Sequence, residues 1–350
     1  MIRPELVCPA GTPSSLRTAV DAGADAVYCG FRNATNARNF PGLNFTLDEL
    51  ERSTAYAHER GCKVLLAVNP FPPAGKTTLW RDAIDAGKRI GVDAFIVADI
   101  GVADYAHRTA SGTRLHLSVQ AAASSPEAIR YYCREFNVRR VVLPRILTIP
   151  EIRALGAEIP CEMETFIFGN HGLMVEGRCS MTNYATGLST NMDGVCSPAA
   201  SVKYSGLADG RLASRLGEFM IDCFGNKEKA GYPTICKGRY SVGCRQTAYY
   251  AFEEPVSLNL SPLLPELMKA GVHAFKIEGR QRSRAYVRSV VAAFRRCVDV
   301  IMAGGQPQLA GVPALTEGAR KPKAPSNQKT GDRHDKRTFD TWPRTISLAG

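Results

Sequence analysis

Gly23-Ala24-Asp25-Ala26-Val27 recurs in outline as Gly91-Val92-Asp93-Ala94-Phe95 and as Gly271-Val272-His273-Ala274-Phe275. Each stretch puts a glycine where a helix must stop, then a short polar turn, then an apolar run that reads as a strand. Working outward, eight such runs alternate with helix-like segments: Glu5–Pro9, Ala26–Gly30, Lys63–Asn69, Phe95–Asp99, Leu115–Gln120, Arg140–Arg145, Glu162–Gly169 and Ala274–Glu278. Helix starts are legible between them. Thr46-Leu47-Asp48-Glu49 and Thr148-Ile149-Pro150-Glu151 match a capping box, and Ser125-Pro126 and Ser261-Pro262 match an N-cap followed by proline. Eight alternating units predict an α/β fold, a closed TIM-like (β/α)8 barrel of parallel strands ringed by helices.

The alternation breaks between strands seven and eight, where residues 170–259 read as an insertion. The expected organisation is a barrel over 1–303 that includes this insertion, followed by a basic tail over 304–350. From Gly318 to Gly350 there are eight Lys/Arg against three Asp, so much of the formal +11 lies in a Pro-, Ser- and Asn-rich stretch expected to be disordered. The +6 left on the folded part suits acidic small molecules as well as it suits RNA. No apolar stretch reaches bilayer length, and Met1–Cys8 runs into a strand without a leader-type apolar block. Eleven unevenly spaced cysteines in such a chain argue for a reducing cytoplasm, not a disulfide framework.

Three of those cysteines stand in turn-like or charged contexts: Cys179 in Glu176-Gly177-Arg178-Cys179, Cys196 in Gly194-Val195-Cys196-Ser197-Pro198, and Cys236 in Ile235-Cys236-Lys237-Gly238-Arg239. Turn residues let a sulfur be aimed, and adjacent cations favour the thiolate that binds metal. The insertion therefore reads as a metal site, with iron–sulfur and zinc both open. Cys8, Cys29, Cys62, Cys133, Cys161, Cys223 and Cys297 read as packing residues. His171, just past strand seven, is placed to add a ligand.

In a barrel the chemistry sits at the C-terminal strand ends. Polar residues there are Asn69, Asp99, Gln120, Arg145, Glu278 and Arg280, with Asn36 and Arg38 on the second loop. Arg38, Arg145, Arg280 and Arg282 are expected to form a cationic rim for carboxylates. Glu278 reads as a substrate anchor or general base, or as the ion-pair partner of a rim arginine. Neither a hydrolase triad, a HExxH helix nor a phosphate-binding glycine loop is present in the sequence.

Glu5-Leu6-Val7-Cys8-Pro9-Ala10-Gly11, Gly23–Tyr28, Glu176–Cys179, Cys236–Tyr240 and Lys276–Arg280 resemble the collagenase-like peptidases, peptidase family U32. Within that family, Thr35-Asn36-Ala37-Arg38-Asn39-Phe40, Gly42–Thr46, Val142–Arg145 and Glu253-Glu254-Pro255 are similar to the UbiU-like branch serving oxygen-independent ubiquinone biosynthesis. The resemblance covers about Glu5 to Met302. It implies hydroxylation, not proteolysis, by an enzyme carrying a [4Fe-4S] cluster and working as a heterodimer with a UbiV-like paralogue on a ubiquinone precursor. Prephenate is the oxygen donor of related RNA hydroxylases. Cys179, Cys196 and Cys236 match three of four cluster ligands. The fourth position is Gly172 here, so His171, Cys244, Glu176 or an open iron completes the site. Arg145, Arg280 and Glu278 are expected to hold the dicarboxylate. Two rivals remain: a tRNA or rRNA hydroxylase, disfavoured by a lack of aromatics interleaved with basic residues, and a non-catalytic zinc-stabilised binding subunit.

Overall fold

The computed structural model describes residues 2–170, 179–188, 196–243, 247–255 and 257–308. Seven strands alternate with six helices in order: β1 (Glu5–Pro9), α1 (Pro13–Asp21), β2 (Ala26–Cys29), α2 (Leu47–His58), β3 (Lys63–Val68), α3 (Thr78–Ile90), β4 (Ala94–Val97), α4 (Ile100–Thr109), β5 (Arg114–Leu117), α5 (Pro126–Phe136), β6 (Val138–Val142), α6 (Ile149–Glu158) and β7 (Glu162–Asn170). After the insertion come α8 (Leu264–Lys269), β14 (Ala274–Ile277) and α9 (Arg284–Met302). Strand β14 pairs in parallel with both β7 and β1, and β6 pairs with β7, so eight parallel strands close on themselves. All eight expected strands are present, each within three residues of the expected bounds, a typical boundary scatter for a sequence reading.

The punctuation behaves as its chemistry requires. Gly23, Gly91 and Gly271 all take positive φ (99°, 80° and 84°), the conformation that ends a helix without a Cβ clash. Thr46 and Thr148 close capping boxes with Glu49 and Glu151, and Ser125 caps α5. Ser261-Pro262 departs from expectation. Ser261 lies inside a short 3-10 turn preceded by Leu260, because α8 starts only at Leu264.

Between sheet and helices lies the apolar core, with Leu16, Leu50, Ile84, Phe95, Phe275 and Phe294 fully buried. The barrel interior is different: part apolar (Val7, Ala26, Tyr28, Leu65, Ile96, Ala274) and part charged. Arg140, 3% exposed, reaches Glu5 (2.7 Å), Glu162 (2.6 Å) and Glu164 (3.3 Å), while Lys276 pairs with the fully buried Glu164 at 2.6 Å. Burial alone would lower the Arg140 pKa, but three carboxylates outweigh it and raise it. His116 sits among these cations, neutral because burial and Arg140 drive its pKa well below the usual value. The strand starts are thus sealed by ion pairs, leaving the other end free for a site.

The insertion leaves from the C-terminal end of β7 and returns beside it. It carries α7 (Ser180–Thr186), an antiparallel meander of β8 (Val202–Gly206), β9 (Leu212–Leu216) and β10 (Phe219–Phe224), and a two-stranded ribbon of β11 (Arg239–Tyr240) and β12 (Tyr249–Tyr250). Its last strand, β13 (Ser257–Asn259), runs antiparallel to the tip of β7, with Ser257 opposite Asn170. Both ends of the insertion are therefore anchored at the barrel mouth. Residues 309–350 of the expected tail lie outside the described residues. Before them, Cys297 donates from its Sγ to the Gln308 carbonyl. No helix among the described residues is long and apolar enough to cross a membrane.

Candidate functional site at the barrel mouth

Two glycines shape the mouth. A Cβ on Gly169, whose φ is 132°, would come within 2.5 Å of the Glu278 Cβ, and one on Gly11 would lie 1.8 Å from the Arg280 carbonyl oxygen. Only glycine lets β7 and the first loop pass so close to the segment after β14. That segment bears the two most telling side chains.

Glu278 accepts from Arg145 Nη2 (2.8 Å) and from the Asn170 backbone N–H (3.1 Å), both on Oε2. Burial would raise its carboxyl pKa, but Arg145, then Arg38 and the Asn170 N–H, hold it below the usual range. Glu278 is therefore ionised at neutral pH, which suits an anchor and makes it a poor general base. The ion pair expected with some rim arginine is made with Arg145, whose guanidinium also lies 3.6 Å above the Phe166 ring centroid.

Arg280 is buried and donates to Asn36 Oδ1 at 2.9 Å; the Arg38 N–H shares that oxygen at 3.0 Å. Burial pushes the Arg280 pKa down to about 10, with Arg38 adding to the effect. Tyr28 lies beneath, its ring facing Lys276 Nζ at 4.0 Å and the Arg280 guanidinium at 5.5 Å. The second loop is held by Asn44, which donates to the Arg38 carbonyl (2.8 Å), and by Asn69, which accepts from the Ala37 N–H (3.3 Å) and donates to Ser118 Oγ (3.3 Å).

The expected rim is thus only partly a rim. Arg145 and Arg280 are buried beneath it, Arg38 is half-buried, and Arg282 is exposed and lies over Tyr286. Asp99 serves as the N-cap of α4, accepting from the Val102 N–H, and Gln120 is buried in a 3-10 turn. A separate hollow of about 200 Å³, lined by His107, Arg114, Asn137 and Arg139, lies at the start of β5 and holds none of these candidates.

Among the described residues, none of the three candidate cysteines is in a disulfide; Cys179 and Cys236 are partly buried and Cys196 is exposed. Thr182 ties two of them together: its hydroxyl faces the Cys179 Sγ at 3.5 Å and the Cys196 carbonyl at 2.9 Å. Cys236 lies close enough to feel both other thiols. Burial pushes its pKa up to about 12, with Glu253, Cys196 and Cys179 adding to the rise. That corrects the expectation that adjacent cations lower it: Lys237 does act in that direction, but burial, Glu253 and the other sulfurs outweigh it. Among the described residues, no group of three or more His, Cys, Asp and Glu side chains is preset to hold a metal ion. The thiols are gathered within electrostatic reach, not at ligand distances. Their donor chemistry nevertheless fits a soft cationic centre, because only such a centre lets mutually repelling sulfurs ionise together. His171, Glu176 and Cys244 lie outside the described residues. Cys8, Cys29, Cys62 and Cys297 are buried as packing residues, and Cys223 sits in β10 opposite Ala213.

Lys237 was not singled out from the sequence. It enters there only as a cation beside a cysteine, yet its side chain is 6% exposed. Its ammonium donates to Asn170 Oδ1 (2.9 Å) and lies 3.9 Å from the equally buried Glu253.

Comparison with known proteins then decides the family, because the model of Peptidase family U32 matches residues 11–330. The chain belongs to peptidase family U32. Among its U32 relatives, tRNA hydroxylation protein P1 of Bacillus subtilis is 29% identical over 301 residues, covering 86% of this chain and 64% of that protein. A collagenase of Porphyromonas gingivalis is 28% identical, covering 86% and 66%. The 23S rRNA 5-hydroxycytidine C2501 synthase of Escherichia coli is 28% identical, covering 86% and 40%. The chain thus spans about two thirds of the first two relatives and less than half of the third.

Proposed function

We propose that this U32 chain is a hydroxylase in which Cys179, Cys196 and Cys236 hold an iron–sulfur cluster beside a barrel mouth that binds a dicarboxylate. The observation that carries this reading is the contact path between thiols and mouth. Cys236 is followed by Lys237, Lys237 donates to Asn170, and the Asn170 N–H donates to Glu278 beside Arg145. When bound, the cluster would supply one-electron transfer next to the bound anion. The chain's own residues supply the rest. Arg280 and Arg38 present positive charge to a carboxylate, Glu278 fixes the direction of Arg145, and Tyr28 with Phe166 gives the floor an apolar surface. Prephenate is the dicarboxylate expected there.

RNA is the substrate class supported by the names of the tRNA- and rRNA-hydroxylating relatives. The fold adds support that the sequence concealed. Tyr184, 82% exposed, and Phe219, 44% exposed, pair at 5.6 Å between ring centroids. Exposed rings are what unpaired bases stack upon. A second reading keeps the chemistry and takes a ubiquinone precursor as substrate, with a UbiV-like paralogue as partner. It is favoured by the location of the blocks that resemble that branch. Thr35–Phe40 and Gly42–Thr46 form the second loop of the mouth, including Asn36 on Arg280 and Asn44 on Arg38.

Anaerobic purification with iron and sulfide quantified tests the cluster; zinc without sulfide would replace it with a structural metal. A deletion strain grown without oxygen separates the substrates, through hydroxylated nucleosides in digested RNA or through quinone content. Loss of neither ends both readings. Full activity of Arg145→Ala or Arg280→Ala would remove the dicarboxylate from the mouth.

A further inference from the structure

We infer that Lys237 is a positioning residue that couples the three thiols to the anion-binding mouth, so that each site senses the other's occupancy. The inference rests on the functional reading above and deepens it.

The geometry that points to this is unusual for a lysine. A four-carbon stem normally carries its ammonium to water, but that of Lys237 is buried between the barrel and the insertion. On the insertion side, Glu253 lies 3.9 Å from the ammonium, and its backbone N–H donates to the Cys236 carbonyl at 3.1 Å, so Lys237 is held beside its own cysteine. On the barrel side, the ammonium donates to Asn170, the last residue of β7. The Asn170 backbone N–H in turn donates to the same Glu278 oxygen that Arg145 holds. One short polar path therefore runs from Cys236 to the mouth through a residue, Asn170, that must stay in place for both ends. An anion drawn to Arg145 competes with Glu278 for the guanidinium. Any shift of Glu278 pulls on Asn170, and through it on Lys237 and the adjacent sulfur. Energy can pass this way because the Lys237, Glu253 and Arg145 side chains are buried and hold the partly buried Asn170 and Glu278 between them.

The test uses the full chain, anaerobically reconstituted, with prephenate as the probe. Two quantities are read with and without it: the midpoint potential of the cluster, and the rate at which iodoacetamide alkylates Cys236 in the metal-free protein. Wild type is expected to show a shift in the first and a change of about fivefold or more in the second, the lower range of site–site couplings. In Lys237→Met both responses are lost while iron and sulfide content stay at the wild-type level. Asn170→Leu, which leaves the Lys237–Glu253 pair intact, is the second variant should Lys237→Met not fold. It too loses both responses, and Asn170→Asp, which keeps an oxygen acceptor, restores them. Wild-type responses surviving in Asn170→Leu, or no response to prephenate in wild type, overturn the inference. Failure of wild type to assemble a cluster refutes the proposed cofactor instead, and the alkylation measurement still decides the coupling.

Discussion

Replacing Glu278 by Gln isolates the charge of one carboxylate at the centre of the mouth. The variant keeps the shape and an oxygen acceptor, so the contacts from Arg145 and Asn170 persist as neutral-acceptor hydrogen bonds. A hydrogen bond to a charged group contributes about 1.5–3 kcal/mol and a neutral one about 0.5–1.5 kcal/mol, so two converted bonds cost about 2 kcal/mol in all. Glu278 is 24% exposed and Arg145 6%, so solvent screens the pair only modestly. The fall in Tm should be about 3 °C, since about 2.1 cal/mol/K of unfolding entropy per residue over about 300 residues makes 1 kcal/mol worth about 1.6 °C. Glu278→Ala removes both contacts together with the side chain and should cost more than Glu278→Gln. The sign with pH follows from linkage. A carboxyl held below its ordinary value of 4.5 contributes stability that is fully present above that pH and is lost as pH falls through the folded-state value. The gap between wild type and Glu278→Gln in urea denaturation should therefore be constant from pH 7 down to about 5 and narrow only below 4.5. A gap below about 0.5 kcal/mol at pH 7, or one that does not narrow in acid, would refute the claim that Glu278 is an ionised anchor.

Gly169→Ala should cost about 2 kcal/mol or more and weaken prephenate binding, since the new methyl meets the Glu278 Cβ at 2.5 Å in a backbone conformation that disfavours it; calorimetry with and without prephenate checks both. Cys179→Ala should lose most of the iron and sulfide bound after anaerobic reconstitution while its far-UV circular dichroism stays unchanged. His116 is buried among cations, and neither ring nitrogen has a hydrogen-bond partner among the described residues. Its depressed pKa makes the folded state resist a proton that the unfolded chain accepts, so it erodes stability as pH falls below 6.5. His116→Leu should cost less than about 1 kcal/mol at pH 7 and flatten the pH dependence of stability between about 6.5 and 5, measured by urea titration.

The amino-acid sequence alone determined the barrel. Glycines that end helices, threonines that cap them and apolar runs that alternate with amphipathic ones act over a few residues, through backbone sterics and hydrogen bonds within one turn. Such signals survive in most contexts: Ser125-Pro126 caps its helix, whereas the same pair at Ser261-Pro262 falls inside a 3-10 turn ahead of α8. Residue types at the strand ends were legible for the same reason, since a parallel barrel must present them at one face. Pairings were not. Arg145 chooses Glu278 across 133 residues, Arg280 chooses Asn36 across 244, and Lys237 chooses Asn170 across 67. Which arginine is neutralised and which stays available depends on closure of the barrel and docking of the insertion. Cys236 shows the same division: its neighbour Lys237 argued for an easily ionised thiol, whereas burial and distant sulfurs made it a reluctant one. Local chemistry is written in neighbouring residues, but the electrostatic field at a site is a sum over space, and only the tertiary structure performs it.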